Sequence, residues 1–247
     1  MKHLLRRSLG NPTQVALLAI AVVIATSHLG FLPGWSHAKD RCEQAAEAAE
    51  SALPLPYMPN KSSDPVFLWV SGTRYAIPGN YFRYPPIGCD TEESGFLLRV
   101  LLPTFEGWTR ENREQMERRD GGPQMTMNVL LNATPSGREP DADLLRAFRA
   151  YARGADPFGD YPVENGFFRT TNDRGDDIFF KREGTAVSLL IDCDPQRPPP
   201  RNPQCAQSSW YRDSKLKVTY ARIHLSRSEE IQKGTEAMLD AFVERAN

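Results

Sequence analysis

A basic N-terminal segment followed by one long apolar run is the feature that most constrains this chain. Residues 1–38 contain three basic residues and no acidic residue, and the apolar run extends from Val15 to Leu32. A helix of about 20 apolar residues spans the hydrocarbon core of a bilayer, and a basic flank resists translocation. The pattern predicts an export or anchor segment over residues 1–38 and an exported domain over residues 39–247.

The apolar run can act either as a cleaved signal peptide or as a retained anchor. Ser36 and Ala38 supply the small residues that a signal peptidase requires, so the first alternative predicts cleavage after Ala38. The run is longer than a usual signal-peptide core, and this length favours a retained transmembrane helix. We therefore expect a single-pass protein of the inner membrane with its C-terminal domain in the periplasm, or a periplasmic protein if cleavage occurs.

Charge differs between the two parts of the chain. The whole chain has a net charge of −1, and three of its basic residues lie in residues 1–38, so residues 39–247 carry a net charge of −4. A mildly acidic domain has no general attraction for nucleic acid or anionic lipid. We therefore expect no nucleic-acid partner, and contact with the membrane only through the N-terminal helix.

All four cysteines lie beyond the apolar run, where an exported domain meets an oxidising compartment. An even number of cysteines there indicates disulfide bonds, although four cysteines permit three pairings and reduced thiols are the alternative. Cys193 and Cys205 flank a proline-rich loop, which favours their pairing and leaves Cys42 with Cys89. No pair has the two-residue spacing of a zinc knuckle, so we expect no metal site.

Apolar runs of strand length, separated by turn residues, dominate the chain after residue 60. The predicted strands are Val66–Val70, Arg74–Ile77, Phe96–Leu102, Met125–Leu131, Ile178–Lys181, Thr185–Ile191 and Leu216–Leu225. Turns containing Gly72 and Gly184 join the first two strands, and the fifth and sixth, into β-hairpins. In the last strand the apolar residues change from even to odd positions near Ala221, which predicts a bulge there.

Four segments with capping residues or an apolar stripe are predicted to be helices. They are Asp40–Leu53, Thr109–Arg118, Asp141–Arg153 with Asp141 as its cap, and a last helix that Ser226 opens with Glu229 in a capping box. Strands and helices do not alternate regularly, which favours an α+β domain with an antiparallel β-sheet and flanking helices. No linker divides residues 39–247, so we expect a single domain after the transmembrane or signal helix.

Motifs of catalysis are missing from the sequence. It contains no nucleophile elbow, no phosphate-binding loop and no zinc-protease motif, and His224 is the one histidine of the predicted domain. We therefore expect no catalytic residue and no cofactor. Acidic residues leave two alternatives open, a calcium-binding turn and a hydrolase with paired carboxylates. The candidate acids are Asp156, Asp160, Asp173, Asp176 and Asp177.

Tyrosine and arginine are concentrated around the turn that follows the first hairpin. Both residue types are common in the parts of protein interfaces that contribute most to binding. Two interpretations are open: an exposed recognition surface, and a tyrosine-rich turn that seals the end of the sheet, which is favoured because aromatic side chains mostly serve packing. The candidate binding residues are Arg74, Tyr75, Tyr81, Arg83 and Tyr84.

Three short motifs carry a resemblance to a known group of proteins. They are Tyr75-Ala-Ile-Pro-Gly-Asn-Tyr81, Leu102-Pro-Thr-Phe-Glu106 and Thr109-Arg-Glu-Asn112. Together they resemble uncharacterised exported or membrane-anchored proteins of proteobacteria over roughly residues 64–133. The resemblance implies an envelope location and one globular domain. It implies no established activity and no functional residue.

Three functions are consistent with these features. The first is a non-enzymatic envelope protein that binds a protein partner, for example an immunity-type protein that neutralises an exported toxin. The second is an envelope hydrolase that uses paired carboxylates or calcium. The third is a structural accessory of a secretion or envelope complex.

Overall fold

The computed structural model describes residues 62–82, 90–118, 124–134, 139–152, 154–195 and 202–244. Several predictions lie outside these residues: the N-terminal transmembrane or signal helix, the helix Asp40–Leu53, the pairing of Cys42 with Cys89, and the side chains of Arg83 and Tyr84. Within the described part of the chain, no helix has the length and apolar character needed to cross a membrane.

The described residues form an α+β domain with two β-sheets, which confirms the predicted fold class in its antiparallel sheets and flanking helices. The strands are β1 (Pro65–Val70), β2 (Thr73–Pro78), β3 (Thr91–Glu92), β4 (Gly95–Leu101), β5 (Thr126–Ala133), β6 (Val163–Glu164), β7 (Phe167–Thr171), β8 (Asp177–Glu183), β9 (Ala186–Cys193), β10 (Gln204–Tyr211) and β11 (Ser214–Ala221). The helices are α1 (Arg113–Glu117), α2 (Pro140–Tyr151) and α3 (Ser228–Phe242), with 3-10 turns at Gly79–Tyr81 and Arg222–Arg227.

The larger sheet has eight antiparallel strands in the order β4-β5-β11-β10-β9-β8-β7-β6. Strands β6 to β11 form a continuous meander, because each pairs with its neighbour in sequence. The smaller sheet has the order β2-β1-β3, in which β1 and β2 form the predicted hairpin and β3 is parallel to β1. Ser71 and Gly72 both have positive φ at the hairpin turn, as a two-residue turn between twisted strands requires.

The two faces of the large sheet are covered differently. One face packs against the small sheet and α3 in a single apolar core that includes Leu98, Val129, Val218, Ile77 and Leu239. The opposite face packs against α2 around β8, β9 and β10, where Phe148 belongs to a second apolar cluster. Alternation along β5 places Met127, Val129 and Leu131 on the buried face, as the sequence predicts.

The prediction of a strand from Leu216 to Leu225 is wrong beyond Ala221. The strand β11 ends there, and a 3-10 turn over Arg222–Arg227 follows. The predicted bulge is therefore the end of the strand. The spacing of the apolar residues changes there because an extended strand, which repeats every two residues, gives way to a 3-10 turn, which repeats every three. His224 lies in this turn rather than on a sheet face, and its Nε2 atom is 3.0 Å from the carbonyl oxygen of Gln124.

The helices differ from their predicted bounds at their N-termini. Helix α1 is confined to five residues, and α2 begins at Pro140, whose fixed φ suits the first helical position. Helix α3 begins at Ser228 after the 3-10 turn, so the predicted capping box of Ser226 with Glu229 does not form. The apolar side chains of Ile231, Met238, Leu239 and Phe242 line one side of this helix and are all buried.

The predicted disulfide between Cys193 and Cys205 is confirmed. The two cysteines are directly opposite in β9 and β10, and both side chains are fully buried. The bond therefore joins two strands of the large sheet at the point where the proline-rich loop leaves it.

Candidate functional site

The outer face of the small sheet carries two large aromatic side chains beside a charged cluster. Along β1, Leu68 and Val70 are buried in the core, whereas Phe67 and Trp69 point to the opposite side and are half-buried. Neither belongs to an apolar core cluster of the described residues. We call this surface the Trp69 face. Its members are Phe67, Trp69, Arg74, Ala76 and Asp90.

Register fixes the neighbours on this face. Trp69 is paired with Arg74 across the hairpin, and Phe67 is paired with Ala76. Because paired residues of adjacent strands point to the same side, the two aromatic side chains and Arg74 lie together. Ala76, paired with Phe67, adds only a small side chain to this face.

Asp90 connects the members of the face. Its Oδ1 atom accepts hydrogen bonds from Nε1 of Trp69 at 2.9 Å and from Nε of Arg74 at 2.8 Å, and its Oδ2 atom accepts one from Arg74 at 3.1 Å. These bonds from Arg74 hold the pKa of Asp90 below its usual value. The carboxylate is therefore charged at neutral pH, and it fixes both the guanidinium and the indole in place.

Arg74 links the face to the C-terminal segment. It donates to Glu244, which follows α3, and its guanidinium lies 4.8 Å from the ring centroid of Phe67. The same segment bridges to β2 through Tyr75 and Val243. The Arg74 side chain is 30% exposed and that of Asp90 is 44% exposed, so this cluster is ordered by several bonds yet open to solvent.

The structure places the five predicted binding residues in different environments. Arg74 lies on the Trp69 face. Tyr75 is 1% exposed and packs edge-on against Phe96, so it lies in the core rather than on an exposed surface, and burial raises its pKa to about 12. Tyr81 is half-buried against Phe242, and burial raises its pKa as well. Arg83 and Tyr84 lie outside the described residues.

Sequence reasoning missed Phe67, Trp69 and Asp90 of the Trp69 face, and it missed Glu244, which binds Arg74. Phe67 and Trp69 belong to a continuous apolar run, which suits a strand buried on both faces, and so they carry no sign of exposure. Asp90 and Glu244 are 16 and 170 residues from Arg74 along the chain. The one available signal was the pairing register, because the hairpin turn at Ser71 and Gly72 already sets Trp69 opposite the arginine.

The three motifs that carry the resemblance meet in one corner beside the small sheet. Asn80 and the main chain of Trp108 exchange two hydrogen bonds, and Asn112 donates to the carbonyl of Gly107 at 2.8 Å. A Cβ atom at Gly107 would lie 2.8 Å from the ring of Tyr81, so only glycine fits there. The motifs therefore build a packed corner, and they bring no catalytic group together.

The acidic residues named as alternatives do not converge. Asp156, Asp160 and Asp173 are exposed, Asp176 pairs with Arg174, and Asp177 is buried between Arg169 and Arg222. No group of three or more potential metal ligands occurs among the described residues. The arrangement seen in this part of the chain supports neither the calcium turn nor a pair of catalytic carboxylates.

An open groove of about 600 Å³ lies beside the N-terminal half of α3. Its two carboxylates are already paired, Glu229 with Lys181 and Glu230 with Arg227. The ring of Phe105 fills the space above Gly234, where a Cβ atom would lie 2.1 Å from it. Hydrolysis needs an uncommitted acid and base, and this groove offers neither.

Comparison with known proteins shows that the fold of this chain is similar to that of solved structures. No family model matches the chain, and no curated protein matches it. Among solved structures, an immunity protein of the Stenotrophomonas maltophilia type IV secretion system, Smlt3025, is similar with a TM-score of 0.56 and 14% identity, covering 74% of this chain and 95% of that one. The iron-regulated outer membrane lipoprotein FrpD of Neisseria meningitidis has a TM-score of 0.47 and 10% identity, covering 76% of this chain and 98% of that one. The described domain therefore shares the fold of the first structure.

Proposed function

We propose that this chain is a non-enzymatic envelope protein that binds a protein partner through the Trp69 face, in the manner of an immunity protein. The observation that carries the proposal is the half-exposed cluster of Phe67, Trp69 and Arg74, which Asp90 holds in one arrangement. Tryptophan and arginine are the residue types that most often dominate binding at protein interfaces. A cluster that is already ordered loses little conformational entropy on binding.

Two further observations support an immunity-type role in the envelope. The fold is shared with a protein described as an immunity protein of a secretion system. The buried disulfide between Cys193 and Cys205 fits an oxidising compartment, in line with the export segment that the sequence predicts. We infer that the domain is held at the inner membrane by the N-terminal helix, with the Trp69 face on the periplasmic side.

Inhibition by binding alone needs a stable complementary surface and no chemistry of its own. A partner of the toxin type is blocked when the bound domain covers its active surface.

The test uses the purified full-length chain as bait for solubilised envelope proteins, with crosslinking and identification of the captured protein. The double variant Phe67→Ala/Trp69→Ala should bind that protein at least about tenfold more weakly, because truncation of hot-spot aromatics costs more than about 1–2 kcal/mol. The matched control is Phe158→Ala, which removes a ring that is 43% exposed elsewhere on the surface and should leave binding unchanged.

Circular dichroism of each variant confirms that it is folded before binding is compared. Equal capture of the partner by the wild type and by Phe67→Ala/Trp69→Ala would exclude the Trp69 face as the binding surface. The immunity role is tested separately, by producing the captured protein in the periplasm and measuring growth with and without this chain. Growth that is inhibited by the partner and restored by this chain is the expected result, and an innocuous partner contradicts it.

A further inference from the structure

We propose that the partner reaches the Trp69 face with a basic element, an exposed arginine or lysine segment that lies on the ring of Trp69. The inference rests on the proposed function and specifies the chemistry of the partner. It follows from two features that the fold places together, namely an accessible aromatic pair and an excess of carboxylates around it.

The carboxylates come from three separate parts of the chain. Glu92 in β3 is paired in register with Trp69 and is exposed. The next acid, Glu93, accepts a hydrogen bond from Thr91, which is paired with Leu68, so its carboxylate lies on the other side of the strand. Asp90 and Glu244 approach from the segment before β3 and from the end of α3. Among the described residues around this face, three acidic side chains therefore surround one basic side chain.

Arg74 does not offset this excess. Both carboxylate oxygens of Asp90 accept bonds from its guanidinium, so one charge of each sign is cancelled within the face. Glu244 shares the same guanidinium. Three carboxylates against one guanidinium leave a net negative field, which is strongest next to the low-dielectric surface of the aromatic rings.

The rings themselves favour a cation. The face of an aromatic ring attracts a guanidinium or ammonium group through its quadrupole, most strongly for tryptophan. Phe67 shows this preference within the molecule, since Arg74 lies 4.8 Å from its centroid. Trp69 is oriented by its bond to Asp90, so its ring is held in a fixed position for a second cation.

The same features disfavour an acidic partner. A carboxylate brought to this face would meet an excess of carboxylates of the same sign, and such contacts suppress binding. An uncharged partner would leave the acidic rim unpaired and would gain no electrostatic steering during association. The geometry therefore selects a basic partner over the other two classes.

The experiment uses hexa-arginine and hexa-glutamate as probes of the full-length chain labelled with fluorotryptophan. The chain has four tryptophans, so its fluorine spectrum has four signals, and Trp69→Phe assigns the signal of Trp69. Hexa-arginine should shift the signal of Trp69 and leave those of Trp108 and Trp210 in place. The affinity should fall as salt is added, because the contact depends on exposed charges.

A charge variant and its matched control complete the test. Glu92→Gln should weaken hexa-arginine binding about two- to fivefold, given the modest strength of exposed charge pairs. Glu114→Gln removes the same charge from an exposed position in α1, and it should have no effect. A shift of the Trp69 signal by hexa-glutamate, or hexa-arginine binding that Glu92→Gln leaves unchanged, overturns the proposal.

These outcomes are separable from those of the partner capture. If the captured protein depends on Phe67 and Trp69 but hexa-arginine does not bind there, the binding function stands and the basic chemistry is rejected. If hexa-arginine binds as described but no partner depends on the face, the chemistry of the surface stands and the binding function is rejected.

Discussion

Two aspartates in this domain hold arginine over a phenylalanine ring, one on the small sheet and one in the large sheet. Asp90 binds Arg74 over Phe67, with the two charged side chains 44% and 30% exposed. Asp177 binds Arg222 over Phe179, and both charged side chains are 9% exposed. The chemistry is the same, and the difference in burial decides what each cluster contributes.

The buried cluster is a structural element of the large sheet. Arg169 adds a second guanidinium to Asp177 at 2.8 Å, and Arg222 also donates to the carbonyl of Asp194, next to the disulfide. Asp177 and Arg222 are largely removed from water, so the bonds between them replace bonds to water, whereas Arg169 is 38% exposed. The cluster on the Trp69 face keeps its access to solvent, so its bonds contribute little to stability and remain available to a partner.

The largest expected effect is that of Asp177→Asn on stability. Removing this charge leaves Arg222 buried without a counter-charge, which should lower the free energy of unfolding by about 3–5 kcal/mol. Urea denaturation at neutral pH measures the change. A loss below about 1 kcal/mol would mean that water reaches the cluster, and that it resembles the one on the small sheet.

The next effect is that of removing the disulfide beside the buried cluster. Cys193 is paired in register with Asp177, and the bond closes a segment with a sequence separation of 12. Cys193→Ala/Cys205→Ala should lower the free energy of unfolding by about 3 kcal/mol through the larger entropy of the unfolded chain. Thermal unfolding of this variant, compared with the wild type in the absence of reductant, checks the loss. An unchanged transition would show that neighbouring strand pairs suffice at this end of the sheet.

The sequence predicts the hairpins of this domain but neither of its two charged clusters. Both hairpins with a glycine in the turn are predictable, because turn chemistry is local. The strands β7 and β10 lack a clear alternating pattern, and β11 is overestimated because the 3-10 turn continues its apolar content. The partners of Asp90 and Asp177 lie up to 45 residues away, and no local signal connects carboxylates and guanidiniums across such separations.

The stability that Asp177 contributes should depend on pH in the way expected of a carboxylate with a lowered pKa. Burial alone would raise the pKa of Asp177, but hydrogen bonds from Arg169 and Arg222 outweigh burial and hold it below the usual value. The stabilisation is therefore complete above the unfolded-state pKa of about 3.9 and is lost as the pH falls through the lower folded-state pKa. We expect the stability difference between the wild type and Asp177→Asn to be constant from pH 7 to about pH 5 and to shrink below about pH 4. Urea denaturation across this range tests it, and a difference that grows in acid contradicts the assignment.

The smallest expected effect is that of Asp90→Asn on stability. Because Arg74 stays partly exposed and keeps Glu244, loss of the Asp90 charge should cost less than about 1 kcal/mol, and added salt should reduce that cost further. The same substitution weakens the orientation of both Trp69 and Arg74, so it should lower the affinity for the partner more than it lowers stability. Urea denaturation at low and high salt, set beside the binding curve of the same variant, provides the measurement. If Asp90→Asn destabilised the fold as strongly as Asp177→Asn, the charged cluster of the Trp69 face would be a second structural element. That result would contradict the proposal that this face is a binding surface.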